Sequence, residues 1–345
     1  MKLLIVTQKV DKKDPTLGFF HSWIEEFAKR CESAIVICLE KGQYNLPHNV
    51  QVFSLGKEQK ASRFKILFTF YFLLFSLRHR YDAVFVHMNE EYVLLAGLFW
   101  RLTGKKIFFW RNHPRGGIFT RLSVFLSDRV FYTSNLSFTA GFKNASVMPA
   151  GVDTSIFKPS ESFQRRKHSI CMVGRVAKIK GIDVALRALK FTAEIYPETV
   201  LTIVGPTAVE DEKYRAELQK YIQENNLSGN VVFKGALPQS ELPVIYGGHE
   251  IYLNLTDDGS FDKTIVEAAG CGSFVVTSNS FLFGHLPKEC ATEKDPQSVA
   301  RSLTDAFKLQ NREKIAGELE VFANNHSLSK LMEKVTAEMI AFGLK

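Results

Sequence analysis

Short, continuous apolar runs alternate with segments of helical period along this chain, and the alternation occurs twice. Lys2 to Thr7 (KLLIVT) reads as a buried strand. Phe20, Trp23, Ile24 and Phe27 then recur at helical spacing across Phe19 to Lys29. Ala34 to Leu39, Val50 to Leu55, Ala83 to His87 and Lys106 to Trp110 read as strands, with helices over Phe64 to Leu77 and Tyr92 to Leu102. A strand that is apolar along its whole length must be covered on both faces, and a helix after each strand supplies the cover. The expected class is α/β, with doubly wound parallel sheets.

The rhythm breaks near Pro149-Ala150-Gly151-Val152-Asp153 and restarts after a polar, proline-bearing stretch. We expect an N-terminal domain over 1–156, a linker over 157–168, a second domain over 169–325 and a C-terminal helical segment over 326–345. Strands are expected at Ile170 to Val173, Val200 to Val204, Val231 to Phe233, Ile251 to Leu255 and Phe274 to Thr277. Helices are expected over Ile182 to Tyr196, Glu210 to Asn225 and Thr264 to Ala269, and from Pro296 onward. At 345 residues the length also suits two domains of about 150 residues each. Two such sheets side by side would face a cleft at their carboxyl ends, where ligands bind.

Charge is uneven. Up to Pro159 there are 22 Lys and Arg against 12 Asp and Glu, a net of +10, while the remainder carries −2. The basic half suits an anionic surface or substrate. The longest apolar run, Ile66 to Leu77, has 12 residues where a membrane-spanning helix needs about 20. Its flanks carry Lys57, Lys60, Arg63 and Lys65 before it and Arg78 and Arg80 after it. It is read as a core helix with solvated ends, whose basic flanks allow peripheral contact with an anionic membrane. No leader is visible at the N-terminus, and five cysteines without a C-x-x-C pair suit buried reduced thiols. A cytoplasmic protein, free or peripheral on the inner face of the membrane, is the expectation.

Three stretches carry the chemistry. Residues 173 to 181, VGRVAKIKG, place Arg175, Lys178 and Lys180 between two glycines just after a strand. A guanidinium fork and a compact ammonium at a carboxyl end suit a diphosphate, and Gly174 allows close backbone approach. In DDGSFDKTIVEAAGCG, Asp257, Asp258 and Ser260 supply turn chemistry before a short helix. Free N–H groups at 262 to 264 would form an anion site, and Glu267 would lie one turn further in. A carboxylate there can accept both hydroxyls of a ribose. The third stretch, Trp110 to Gly117, puts His113 after a strand in the N-terminal half, where it can donate to a substrate hydroxyl. Gly18 occupies another strand-to-helix loop. No G-x-x-x-x-G-K-[ST], D-x-D, G-x-S-x-G or metal-spaced cluster occurs.

The order PAGVD at 149–153 with Phe157 and Pro159, then VGR at 173–175 with Lys178, Lys180 and Gly181, Val204-Gly205, Val232-Phe233 with Gly235, and Glu267-Ala268 with Gly272 resembles the GT4 family of glycosyltransferases. The match is densest over about 149 to 277 and looser in the N-terminal half. The resemblance implies a GT-B architecture, with two Rossmann-like domains facing a central cleft, the N-terminal one for the acceptor. It also implies a final helix, here Leu328 to Phe342, packing back across that cleft. The implied activity is retaining, metal-independent transfer from a UDP- or GDP-sugar to a glycan or lipid-linked acceptor, as in cell-envelope polysaccharide or glycolipid synthesis. Nucleic acid is not an expected partner, and no cofactor is implied. By the same resemblance Arg175 and Lys180 hold the diphosphate, Glu267 the ribose, backbone near Ala236 and Leu237 the base, and His113 the transferred sugar. The remaining donor-site positions are Gly18, Gly174, Asp258, Ser260, Lys263 and Thr264. Where the family often has the first glutamate of a Glu-x7-Glu pair, this chain has Gly259, with Asp258 beside it. An epimerase of the same fold, or a nucleotide-binding scaffold that no longer turns over, are the alternative readings.

Overall fold

The computed structural model describes residues 1–257 and 261–344. They divide into two compact units, one of 1–151 with Phe261 and 328–344, the other of 152–257 with 262–327.

The first unit is built on β1 (Lys2–Val10), α1 (Phe19–Arg30), β2 (Ser33–Lys41), β3 (Val50–Ser54), α2 (Arg63–Leu77), β4 (Ala83–His87) and α3 (Glu90–Leu102). It continues with β5 (Lys106–Trp110), α4 (Ile118–Leu126), β6 (Arg129–Tyr132) and β7 (Ala145–Val147). All seven strands are parallel, in the order β3-β2-β1-β4-β5-β6-β7. The central strands are buried on both faces, which is why they read as unbroken apolar runs. On one face α1 sets Phe20, Trp23, Ile24 and Phe27 against Leu3, Ile5, Phe85 and Phe108. On the other, α2, α3 and α4 cover Leu4, Val6, Val84 and Phe109.

The helix read at Phe64 to Leu77 is present as α2, but only one face of it is core. Phe70, Leu73, Leu74 and Leu77 are buried, whereas Phe64, Phe68 and Phe72 are exposed, because a helix in an outer layer meets the sheet on one side alone. The sequence left 118–147 unassigned, and the structure places α4, β6 and β7 there.

The second unit contains β8 (Arg166–Val173), α5 (Ile182–Ile195), β9 (Val200–Val204), α6 (Glu212–Glu224), β10 (Val231–Gly235) and α7 (Leu242–Gly248). After these come β11 (His249–Asn254), α8 (Lys263–Gly270), β12 (Phe274–Thr277), α9 (Pro296–Lys308) and α10 (Arg312–Asn325). Its sheet is also wholly parallel, in the order β10-β9-β8-β11-β12. β8 starts at Arg166, inside the stretch read as linker, since its polar first residues pair at the sheet's amino end, as Arg166 does with His249.

The last helix, α11 (Leu328–Ala341), rejoins the first unit. Its Leu331, Met332, Val335 and Met339 are fully buried with Trp23 and Phe108. Gly151 sits at the contact with φ of 72°, and a Cβ there would lie 2.3 Å from Leu331 Cδ2. Its carbonyl accepts the Trp23 indole N–H at 2.9 Å. Glycine in the PAGVD stretch is thus required by close approach as well as by backbone conformation.

Candidate functional site

Strand order in the second sheet reverses between β8 and β11. In open parallel sheets the crevice beyond the carboxyl ends at such a reversal is where ligands are held. β8 ends at Val173 and opens into Gly174, Arg175 and one 3₁₀ turn, Lys178–Lys180, which Gly181 closes at φ 64° before α5. β11 ends at Asn254 and leads through Thr256 to Asp262 and α8. Lys180 ties the two loops together: its Nζ lies 2.6 Å from Asp262 Oδ2 and 3.2 Å from Thr256 Oγ1. A small pocket lies here, lined by Gly174, Arg175, Lys180, Asn254 and Thr256 among others.

Two glycines make the convergence feasible. Gly174 has φ of 146°, and a Cβ on it would come within 2.9 Å of Lys180 Cε. Gly205, at the end of β9 with φ of 147°, lies so close that its Cβ would fall 1.9 Å from the Gly174 carbonyl oxygen. The chain can therefore fold tightly over the strand ends and leave room for the lysine stem.

Asp262 is the hub. Its Oδ2 accepts from Lys180, from Asn254 Nδ2 at 3.0 Å and from Thr256 Oγ1 at 2.9 Å; its Oδ1 accepts from Thr264 Oγ1 at 2.7 Å. Tyr252 donates to Thr264 Oγ1 at 2.5 Å and receives from Asn254 at 3.1 Å, closing the network. Burial alone would raise the Asp262 pKa. The Lys180 charge and these hydrogen bonds outweigh it and hold the carboxyl well below the usual range. Asp262 also caps α8, accepting the Thr264 N–H at 3.3 Å. This corrects the expectation of a free N–H at 264: an aspartate just ahead of a helix takes the cap position and satisfies that donor itself.

One turn on, Glu267 is buried, and its Oε2 accepts from Tyr246 Oη at 2.8 Å. Desolvation pushes its pKa up to about 7, against the Tyr246 and Gln239 hydrogen bonds that favour the carboxylate. Lys263, one turn before it, is brought down to about 7 by burial, with the Glu267 charge pulling the other way. A buried acid and a half-buried base four residues apart, each shifted against its charged form by desolvation, make this end of α8 a candidate site.

Of the sequence candidates, Gly174, Arg175, Lys180, Lys263, Thr264 and Glu267 all fall in these loops and α8 of the second unit. Arg175 is exposed, and the Thr264 hydroxyl is committed to Asp262 and Tyr252. Ala236 and Leu237 follow β10 at the sheet edge, where Gly205 N–H donates to Gly235 O at 2.8 Å. Asp258, Ser260 and the Gly259 position lie outside the described residues.

Gly18 and His113 belong to the first unit. Gly18 begins α1 with its N–H on Asp14 O at 3.0 Å. That loop is fastened by Lys9, 2.8 Å from both Asp14 Oδ2 and Glu40 Oε1. His113 is exposed after β5, its Nδ1 3.0 Å from the amide nitrogen and 3.0 Å from the carbonyl oxygen of Arg115.

Sequence reasoning missed Asp262 as an anchor, together with Asn254, Thr256 and Tyr246. The capping preference alone could have flagged Asp262; nothing local distinguishes the other three. Among the described residues no group of His, Cys, Asp or Glu is arranged to hold a metal ion, and no helix is long and apolar enough to cross a membrane. All five cysteines are buried and free.

Residues 153–318 match the family described as glycosyl transferases group 1. Among curated proteins, the chain is 26% identical over 185 residues to a phosphatidylinositol N-acetylglucosaminyltransferase subunit of Arabidopsis thaliana, covering 51% of this chain and 39% of that protein. It is also 26% identical over 144 residues to a D-inositol 3-phosphate glycosyltransferase of Acidothermus cellulolyticus, covering 38% and 32% respectively. The matched segments thus span well under half the length of these relatives. Among solved structures, Anabaena HepE in complex with UDP superposes with a TM-score of 0.80 over 99% of this chain and 100% of that one, at 17% identity, a likeness of fold. Residues 153–318, nearly the whole of the second unit, therefore belong to the group 1 glycosyl transferase family, in a chain whose two parallel-sheet units have the GT-B fold.

Proposed function

We propose that this chain is a glycosyltransferase that moves a sugar from a UDP- or GDP-sugar to a glycan or lipid-linked acceptor, with retention, in the making of cell-surface polysaccharide or glycolipid. The observation that carries the reading is the Lys180–Asp262 pair at 2.6 Å, which fixes a cation beside Arg175 at the β8/β11 reversal of a group 1 domain.

In this reading the bond between the anomeric carbon and the diphosphate oxygen breaks. The acceptor hydroxyl oxygen bonds to that carbon on the same face, and its proton leaves with the departing diphosphate. Negative charge then grows on the diphosphate. Lys180 has three N–H donors, of which Asp262 and Thr256 take two, so one remains for a phosphate oxygen. Asp262 holds Lys180 in place without itself touching the donor. Arg175 adds its fork, and no metal is called for. Glu267 accepts the ribose hydroxyls, and His113 donates to the transferred sugar.

Calorimetric titration with UDP, GDP, ADP and CMP tests the donor site. One diphosphate should bind selectively, and Arg175→Ala should lose that binding. Lys180→Ala should lower transfer about a hundredfold, the cost of removing one donor to developing charge. Selective binding without turnover on any sugar of the chosen nucleotide would favour the scaffold reading; no nucleotide binding at all would remove the donor site.

A further inference from the structure

The outer faces of α2, α3 and α4 in the first unit are apolar and uncovered. Large hydrophobic side chains that are 40–86% exposed number five on α2, three on α3 and four on α4. They include Phe68, Phe72, Leu98, Leu102, Phe119 and Phe125. The three helices form one surface. Phe75 of α2 meets Phe99 of α3 with ring centroids 4.9 Å apart, Tyr71 Oη donates to Leu95 O at 3.1 Å, and Arg101 of α3 lies 5.8 Å from the Phe125 ring of α4. A contiguous apolar face of this extent on a folded unit marks a docking surface.

Charge identifies the occupant. Arg63, Lys65, Arg78, Arg80, Arg101 and Arg121 are all exposed on or at the ends of these helices. The acids on the three helices are Glu90 and Glu91, both in the first turn of α3, and Glu90 is paired to Arg111 at 3.0 Å. Phe, Leu and Ile at the centre with Arg and Lys around the rim match the acyl and anionic headgroup layers of a bilayer. The stems of the basic residues can lie along apolar depth while their heads reach phosphates. A protein partner would call for both donors and acceptors at about one per 100–200 Å² of interface, and on these helices the exposed polar side chains are the basic ones with only Ser76 and Glu91 besides. A second copy placed face to face would bring two arginine rims together.

We propose that the first unit rests on an anionic membrane through the outward faces of α2, α3 and α4, lying in the interface without spanning it. The surface belongs wholly to the first unit, so the proposal stands apart from the donor chemistry of the second.

Flotation of the intact chain with vesicles of phosphatidylcholine alone, and of phosphatidylcholine with phosphatidylglycerol in equal parts, tests it. Binding should need the anionic lipid and weaken as salt shortens the screening length. The double variant Phe68→Glu, Phe72→Glu should reduce vesicle binding at least about tenfold, by the loss of two buried aromatic side chains. Both positions face outward, so its thermal melt and nucleotide binding should match the parent. As a second readout, Phe72→Trp should show quenching by phospholipids brominated on the acyl chains. Failure to bind anionic vesicles, binding unaffected by the double variant, or a dimer in sedimentation velocity that the double variant dissolves would each overturn the proposal.

Discussion

Glu267 sits where two demands conflict. Its hydrogen bond from Tyr246 favours the carboxylate, yet burial lifts its pKa from 4.5 to about 7. A ribose hydroxyl pair is held by the carboxylate form. That form grows as pH rises through about 7, so donor affinity should rise across the same interval. Glu267→Gln cannot titrate. The difference between parent and variant, measured by calorimetry from about pH 6 to about pH 8, cancels the nucleotide's own ionisation. We expect parent affinity to climb relative to the variant; parallel curves would remove Glu267 from the ribose. Its burial was within reach of the sequence, because a glutamate flanked by Ile265, Val266, Ala268 and Ala269 has little reason to be there for solubility. Asp262 was harder. Its partners Lys180 and Thr256 are separated from each other by 76 residues, and only the folded strands bring them together.

At the scale of elements, the ends of β8 and β9 interlock through backbone. Gly205→Ala would put a Cβ 1.9 Å from the Gly174 carbonyl oxygen at a φ that L side chains rarely adopt. We expect a loss of roughly 2–3 kcal/mol or more in urea unfolding, and weaker nucleotide binding because the Gly174–Lys180 loop must shift. A variant as stable as the parent would show that the loop relaxes freely. The strands themselves were legible because burial on both faces leaves an unbroken apolar signature. β7, with three half-buried or exposed residues at the sheet edge, leaves no such trace. α4 escaped because its exposed positions Ile118, Phe119, Leu122 and Phe125 are more apolar than its buried Thr120, Ser123 and Val124, so its apolar stripe is not the face that packs on the fold.

At the scale of the whole molecule, the chain returns to its first unit at its end. α11 inserts Leu331, Met332, Val335 and Met339 into the core that α1 and β5 build. Leu331 is fully buried and pressed against Gly151, where backbone rather than a flexible side chain is the neighbour. The void left by Leu331→Ala should close poorly. We expect a loss of about 3–5 kcal/mol, read as a lowered urea midpoint with the slope unchanged. A loss below about 1 kcal/mol would mean the helix is only loosely held.

By itself the sequence determined the class of each half, the order of most strands and helices, and which loops carry cations and carboxylates, because burial and turn chemistry are written in local patterns. It did not determine which face of α2 is covered. That helix is apolar all round, and only packing against the sheet separates Phe70 and Leu74 inside from Phe68 and Phe72 outside. Nor did it determine that Asp262 anchors Lys180 or that α11 completes the first core. Both depend on residues far apart in the chain meeting in space, and tertiary structure alone decides such meetings.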